Sequence, residues 1–187
     1  MASTSQTDSF SSRVMGVLRL VSKVYLDIAA DNTATTQAAI VVAAAAIAGA
    51  IGGIRNGGEG IIGGLLTAII SWVIFASVGW FVGTRLLGAP QAAGGSRRLL
   101  RTTGFAQAPG VLSVFGAIPI IGPILAVVAG IWGLITQVMA IREGLQVSTS
   151  KAIVTAIVSF IVIVIVLALI AGVIGISLGL GGYNFDN

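Results

Sequence analysis

The chain has 187 residues, 56% of them hydrophobic and only 9% charged, with a mean hydropathy of +1.06 and a net charge of +4. A soluble domain carries about 25% charged residues and a disordered one has low hydrophobicity, so both are excluded and the composition is that of an integral membrane protein. The absence of Cys and His also excludes disulfides, thiolate or imidazole catalysis, and zinc or haem ligation through those side chains.

Residues 1–9 are polar and Ser/Thr-rich, and they read as a mobile N-terminus without a signal-peptide core. Between 10 and 31, Phe10, Val14, Val17, Val21, Val24 and Ile28 recur at helical spacing. Arg19, Lys23 and Asp27 step by four on the opposite face. The segment has too many charges to span. It predicts an amphipathic helix in the membrane interface, with Arg13 snorkelling at its boundary. The alternative is a helix packed on the protein's own cytoplasmic face.

A membrane domain is predicted over residues 32–180, with spans at about 37–54, 61–82, 98–118, 124–141 and 152–178. Residues 55–60 (RNGGEG) form a turn, so the first two spans are antiparallel. Trp72 and Trp80 are expected to anchor the second span. Residues 86–96 are a Gly/Pro/Ala-rich connector leading to Arg97, Arg98 and Arg101. The third span contains Pro109, which should kink it, and Gly104 and Gly110, which let neighbours approach. Residues 118–123 (IPIIGP) are a tight apolar turn, because Pro119 and Pro123 cannot both lie inside one regular helix. The fifth span exceeds 25 residues and should tilt or extend past the bilayer. Residues 181–187 form a tail with Tyr183 and Phe185 as interface anchors.

Charge decides the third span. With five crossings, nine of the ten Lys/Arg lie on the side of the N-terminus, and only Arg55 faces out. If residues 98–118 did not cross, the partition would fall to seven against three. The expected fold is therefore all-α: a polytopic bundle of five transmembrane helices plus an N-terminal amphipathic interfacial helix. The N-terminus would be cytoplasmic and the C-terminus outside. Small residues four apart, at Gly49/Gly53, Gly60/Gly64, Gly79/Gly83 and Gly175/Gly179, offer close helix packing.

The hydrocarbon parts of the predicted spans hold no acid or base. Their polar residues are Thr67, Ser71, Ser77, Thr136, Gln137, Thr155 and Ser159, and hydroxyls of this kind usually bond their own helix. Gln137 needs an interhelical partner. Arg13, Arg19, Lys23, Arg97, Arg98 and Lys151 are placed at the basic membrane surface.

Residues 97–141 carry a resemblance. Leu99-Leu100-Arg101, Gly104-Phe105-Ala106, Pro109, Ile118-Pro119-x-x-Gly122 and Ile131-Trp132 resemble the Yip family, the Ypt/Rab-interacting membrane proteins with bacterial and archaeal relatives. Residues 145–152 (LQVSTSKA) resemble the family's link into its last span, and residues 31–38 (DNTATTQA) resemble prokaryotic members. The resemblance covers roughly residues 30–170. It implies a five-span fold with a cytoplasmic N-terminus, and it marks Arg101, Gly104, Pro109, Pro119, Gly122, Pro123, Trp132 and Gln137 as motif or packing positions. Eukaryotic relatives bind Rab-type GTPases and shape or sort early secretory membranes. The short N-terminal segment speaks against a GTPase partner here.

The reading is a non-enzymatic membrane scaffold or accessory protein of a prokaryotic cytoplasmic membrane, with no metal site and no cofactor other than bound lipid. Its partners would be the bilayer and other membrane proteins or a second copy, not nucleic acid. An accessory subunit of a respiratory or photosynthetic complex and a small-solute transporter are the alternatives.

Overall fold

A computed structural model describes residues 9–54, 60–90 and 95–177, with side chains of the last helix described to 173. Among the described residues every regular element is a helix. In chain order they are α1 (Phe10–Leu18), α2 (Ser22–Ala30), α3 (Ala34–Gly52) and α4 (Gly60–Phe81), which continues into a π-helical turn (Val82–Leu86). Then come α5 (Ser96–Phe105), a 3₁₀ helix (Ala108–Ala117), α6 (Ile121–Leu145) and α7 (Thr149–Ser177).

Four stretches are long and apolar enough to cross a membrane: Ala34–Gly52, Gly60–Leu86, Ile121–Leu145 and Thr149–Val173. The expected single helix over 98–118 is corrected. It divides into α5 and the 3₁₀ helix, with Pro109 at the start of the latter, where a missing backbone donor breaks no helical bond. The 3₁₀ segment is unusually long for its type. Backbone contact with α3 accompanies it: Gly52 and Gly116 face one another, and a Cβ on Gly116 would lie 3.1 Å from the Gly52 carbonyl oxygen.

The contacts of this broken segment define a register. Gly104 lies against Ala38, Gly110 against Ala45 and Ser113 against Gly52, so it runs parallel to α3. On α6, Thr102 meets Ala140, Ala106 meets Thr136 and Gly116 meets Gly122, so it runs antiparallel to α6. Between Gly144, which packs on Thr102 and Leu99, and Gly122, α6 rises roughly 33 Å at about 1.5 Å per residue. Residues 99–116 therefore accompany α6 over a length comparable to the roughly 30 Å hydrocarbon thickness of a bilayer.

The expected interfacial helix over 10–31 is also corrected. It is two helices, separated where Leu20 takes a left-handed φ of 58°. Its apolar stripe is spent on the protein: Val17, Tyr25, Ile28 and Ala29 are completely buried, and Val24 nearly so. Val17, Val24, Tyr25 and Ile28 join Ala34, Ala38, Val41, Val42, Trp72, Phe105 and Ala140 in one core cluster. A smaller cluster of Ala89, Leu99, Ile141, Leu145 and Ala152 sits where α4, α5, α6 and α7 meet.

The remaining boundaries shift modestly. The apolar turn is shorter than 118–123, because α6 already begins at Ile121 and takes Pro123 into its first turn. Residues 1–8, 55–59, 91–94 and 178–187, which include the expected N-terminus, the core of the outer turn and the tail, lie outside the described residues. The outward surface is apolar: Ile62 on α4, Val127 on α6 and Leu169 on α7 are 77%, 62% and 64% exposed.

Candidate functional site

The polar chemistry of the described residues gathers where α2, α3 and α5 meet, at the end of the bundle that carries the basic residues. The short link between α2 and α3 exposes backbone groups there, and Arg101 on α5 reaches into them. Its Nη1 donates to the Ala29 carbonyl at 3.0 Å, its Nε to the Thr35 hydroxyl at 3.1 Å, and its Nη2 to Asn32 Oδ1. Arg101 is 4% exposed. A planar five-donor guanidinium can hold three acceptors from one helix end and the next helix start, which an ammonium cannot.

Arg13 closes the same link from α1. It is 8% exposed, pairs with Asp31 at 2.6 Å and donates to Gln37 Oε1 at 3.0 Å. The sequence grouped Arg13 with the surface cations; the structure instead buries it in an ion pair. Asp31 Oδ1 also accepts from the Thr33 hydroxyl at 2.7 Å and amide at 2.8 Å. The Thr33 hydroxyl foremost, helped by its amide and by Arg13, holds the Asp31 carboxyl below the usual carboxylate range. On α2, Tyr25 donates to the Val17 carbonyl at 3.1 Å, and burial, then the Glu143 charge, pushes its phenol above the usual range.

Below this knot, α5 is sewn to its neighbours through backbone carbonyls. Thr102 donates to Ala140, Thr136 to Ala106, and Gln137 Nε2 to Thr103, at 3.0, 2.9 and 3.2 Å. Gln137 thus has an interhelical partner, although its Oε1 is buried without one among the described residues. Trp72 was expected to anchor α4 at the membrane surface; it is instead 5% exposed and donates to the Leu100 carbonyl at 2.9 Å. Gly104 makes that approach possible, since a Cβ there would fall 2.7 Å from Ala38 Cβ and 2.8 Å from the Trp72 ring. Gly79 and Gly83 pack within the chain, against Leu99 and Leu145. Gly49 makes ordinary contact with Ser113, while its tight counterpart is Gly52 rather than Gly53. Among the described residues Gly64 lies against Ala50, and the Gly175/Gly179 pair extends outside the described residues.

The other marked positions scatter. Pro109, at the start of the 3₁₀ helix, and Gly122, in the first turn of α6, are buried, while Pro119 and Pro123 are exposed. Trp132, half-way along α6, donates to the Leu18 carbonyl at 3.1 Å. Arg19, Lys23 and Arg97 are exposed; Arg98 is half-buried. Lys151 is exposed but ties α7 to the Leu87 carbonyl at 2.7 Å. Sequence reasoning did not give Asn32, Thr35, Gln37, Thr102 or Thr103 a role. The available signal was Arg101 followed by two threonines inside a predicted span, a charge that needs acceptors from elsewhere in the chain.

This arrangement holds α1, α2, α3 and α5 around two buried cations, Arg13 and Arg101. Among the described residues no group of His, Cys, Asp and Glu is placed to hold a metal. Comparison with curated proteins and with solved structures returns no match. A family model described as Yip1 domain matches residues 15–170, from α1 through most of α7. The chain is therefore a multi-pass membrane protein that belongs to the Yip1-domain family.

Proposed function

We propose that the protein is a non-enzymatic scaffold or accessory protein that crosses a prokaryotic cytoplasmic membrane five times, with its N-terminus in the cytoplasm and its C-terminus outside. The third crossing is α5 plus the 3₁₀ helix. Its register along α3 and α6 supports this count, as does the nine-to-one division of basic residues that five crossings produce.

The observation that carries the scaffold reading is how the polar side chains of the bundle are spent. Arg101, Trp72, Thr102, Thr136 and Gln137 each donate to a backbone carbonyl of another element. Groups so committed fix helix positions and leave little to contact a solute. The outward faces of α4, α6 and α7 are apolar, so the surfaces left for work face lipid and other membrane proteins.

Purification from the native membrane in mild detergent tests this. A scaffold co-elutes with other membrane proteins in fixed ratio, and the purified chain in proteoliposomes passes no small solute. Elution of the chain alone together with a saturable solute flux would replace the scaffold with a transporter.

A further inference from the structure

α1 and α2 form a helical hairpin whose open end stands beside the start of α3, where Arg13 pairs with Asp31. Its tip, at Leu18, lies far from that end. The Trp132 indole donates to the Leu18 carbonyl at 3.1 Å. At about 1.5 Å per residue, Trp132 is roughly 20 Å along α6 from Leu145 and roughly 16 Å from Ile121. Leu18 also lines a cavity together with Ala44, which is about 15 Å into α3. Both α3 and α6 are long and apolar enough to cross the membrane, so the tip sits near mid-membrane. Arg19 follows Leu18 directly.

The sequence set Arg19 at the membrane surface, and the fold sets it deeper. Arg19 is exposed, and among the described residues it makes no ion pair. Neither α1 nor the 3₁₀ helix beside it holds an acid. Asp31 is taken by Arg13, and Glu143 lies roughly 16 Å along α6 from Trp132. Lys23 differs, because Asp27 stands one turn further along α2. An exposed guanidinium among acyl chains is costly unless something pairs with it. Lipid phosphates lie outside the roughly 30 Å hydrocarbon layer, and an arginine stem reaches only part of the way across half of it.

Charge complementarity then names the partner. A carboxylate on a membrane helix can stand at the depth of Arg19, whereas a lipid phosphate stays at the surface. A second copy in the same orientation brings no carboxylate to this depth. Among the described residues Asp31 and Glu143 lie at the surface end, and Asp27 is one turn below Asp31. Met15, one turn before Arg19 on α1, is 49% exposed and Val21 is 42% exposed, which gives the cation apolar flanks for helix packing. We propose that Arg19, with Met15 and Val21 beside it, docks a transmembrane helix of another protein that carries a carboxylate near mid-membrane. This deepens the scaffold reading and rests on it only for the partner's being a membrane protein.

The probe is a synthetic Leu/Ala transmembrane peptide with one central Glu, added to the full chain in phosphatidylcholine vesicles at about pH 8, so that the carboxylate can ionise against the guanidinium. Energy transfer from the chain's tryptophans to a dansyl group on the peptide reads association. The expected half-saturation comes at about a tenfold lower peptide fraction than with a central Gln. Moving the Glu two turns toward either end of the peptide should remove that preference. Arg19→Gln should remove it too, while Arg19→Lys, which keeps the charge, should retain most of it. Equal half-saturation of the Glu and Gln peptides would overturn the proposal, as would an undiminished preference in Arg19→Gln. The peptide series is read on the unmutated chain, so misfolding of a variant leaves the test standing. Association and co-elution fail separately. A chain that prefers the Glu peptide but elutes alone keeps this contact and loses the scaffold, and the reverse result loses this contact only.

Discussion

Arg101→Lys isolates what the guanidinium does in the knot between α2, α3 and α5. The charge is kept, but a lysine ammonium on a shorter reach can meet one of the three acceptors, Ala29 O, Thr35 Oγ1 and Asn32 Oδ1. Hydrogen bonds from a charged donor contribute about 1.5–3 kcal/mol each, so losing two puts the ceiling near 3–6 kcal/mol. Asn32 is exposed and Thr35 half-buried, so water recovers part of that loss. A cost of about 2–4 kcal/mol remains. At about 2–4 °C per kcal/mol for a chain of this size, the thermal midpoint in detergent should fall by roughly 4–16 °C. Arg97→Lys, on the exposed face of the same helix, is the control and should be silent. Asn32→Ala combined with Arg101→Lys should be less than additive, since both remove the same bond. A midpoint for Arg101→Lys within 1 °C of the parent would refute the claim that this residue clamps the three helices.

Three other outcomes follow from particular contacts. Gly104→Val should cost about 2 kcal/mol in detergent unfolding, because overpacking against Ala38 and Trp72 outweighs the gain in helix propensity of at most about 1 kcal/mol. Stability should be flat above about pH 5 and decline as pH falls below about 4. The sign follows from Asp31, whose carboxyl is held low in the fold, so its contribution is present above the unfolded value and lost on protonation; Asp31→Asn should flatten that decline in a pH series of thermal midpoints. Pro123→Ala should change the midpoint by less than about 0.5 kcal/mol, because Pro123 occupies the first turn of α6, where its missing donor has no helical partner to lose.

The long apolar helices were legible because a membrane span is a property of composition over a window, and α3, α4, α6 and α7 all satisfy it. Arg101 and Gly104 stood out because the family resemblance marks both as motif or packing positions. What answers them is non-local. Thr35 and Asn32 are some seventy positions from Arg101 in sequence, and no periodicity links them. The N-terminal segment misled for a related reason. A stripe of Val17, Val24 and Ile28 signals burial but not the burying medium, and here that medium is α5 and α6 rather than lipid. Trp72 looked like an interface anchor because its partner, the Leu100 carbonyl, is a backbone group that sequence does not mark. The break inside 98–118 was signalled by Pro109, but Pro109 alone does not distinguish a kink from a 3₁₀ helix. The 3₁₀ helix is accompanied by the Gly52–Gly116 backbone contact with α3, which sequence does not mark.

The central claim is that the broken segment of residues 96–117 crosses the membrane. The chain contains no cysteine, so single cysteines placed at Arg97 and Ile118, both exposed, can be labelled in intact membranes without background. A membrane-impermeant maleimide should reach the cysteine at 97 only from the cytoplasmic side and the cysteine at 118 only from the opposite side. Labelling of both from the same side would show that the segment enters and returns, leaving four crossings and contradicting the proposed topology.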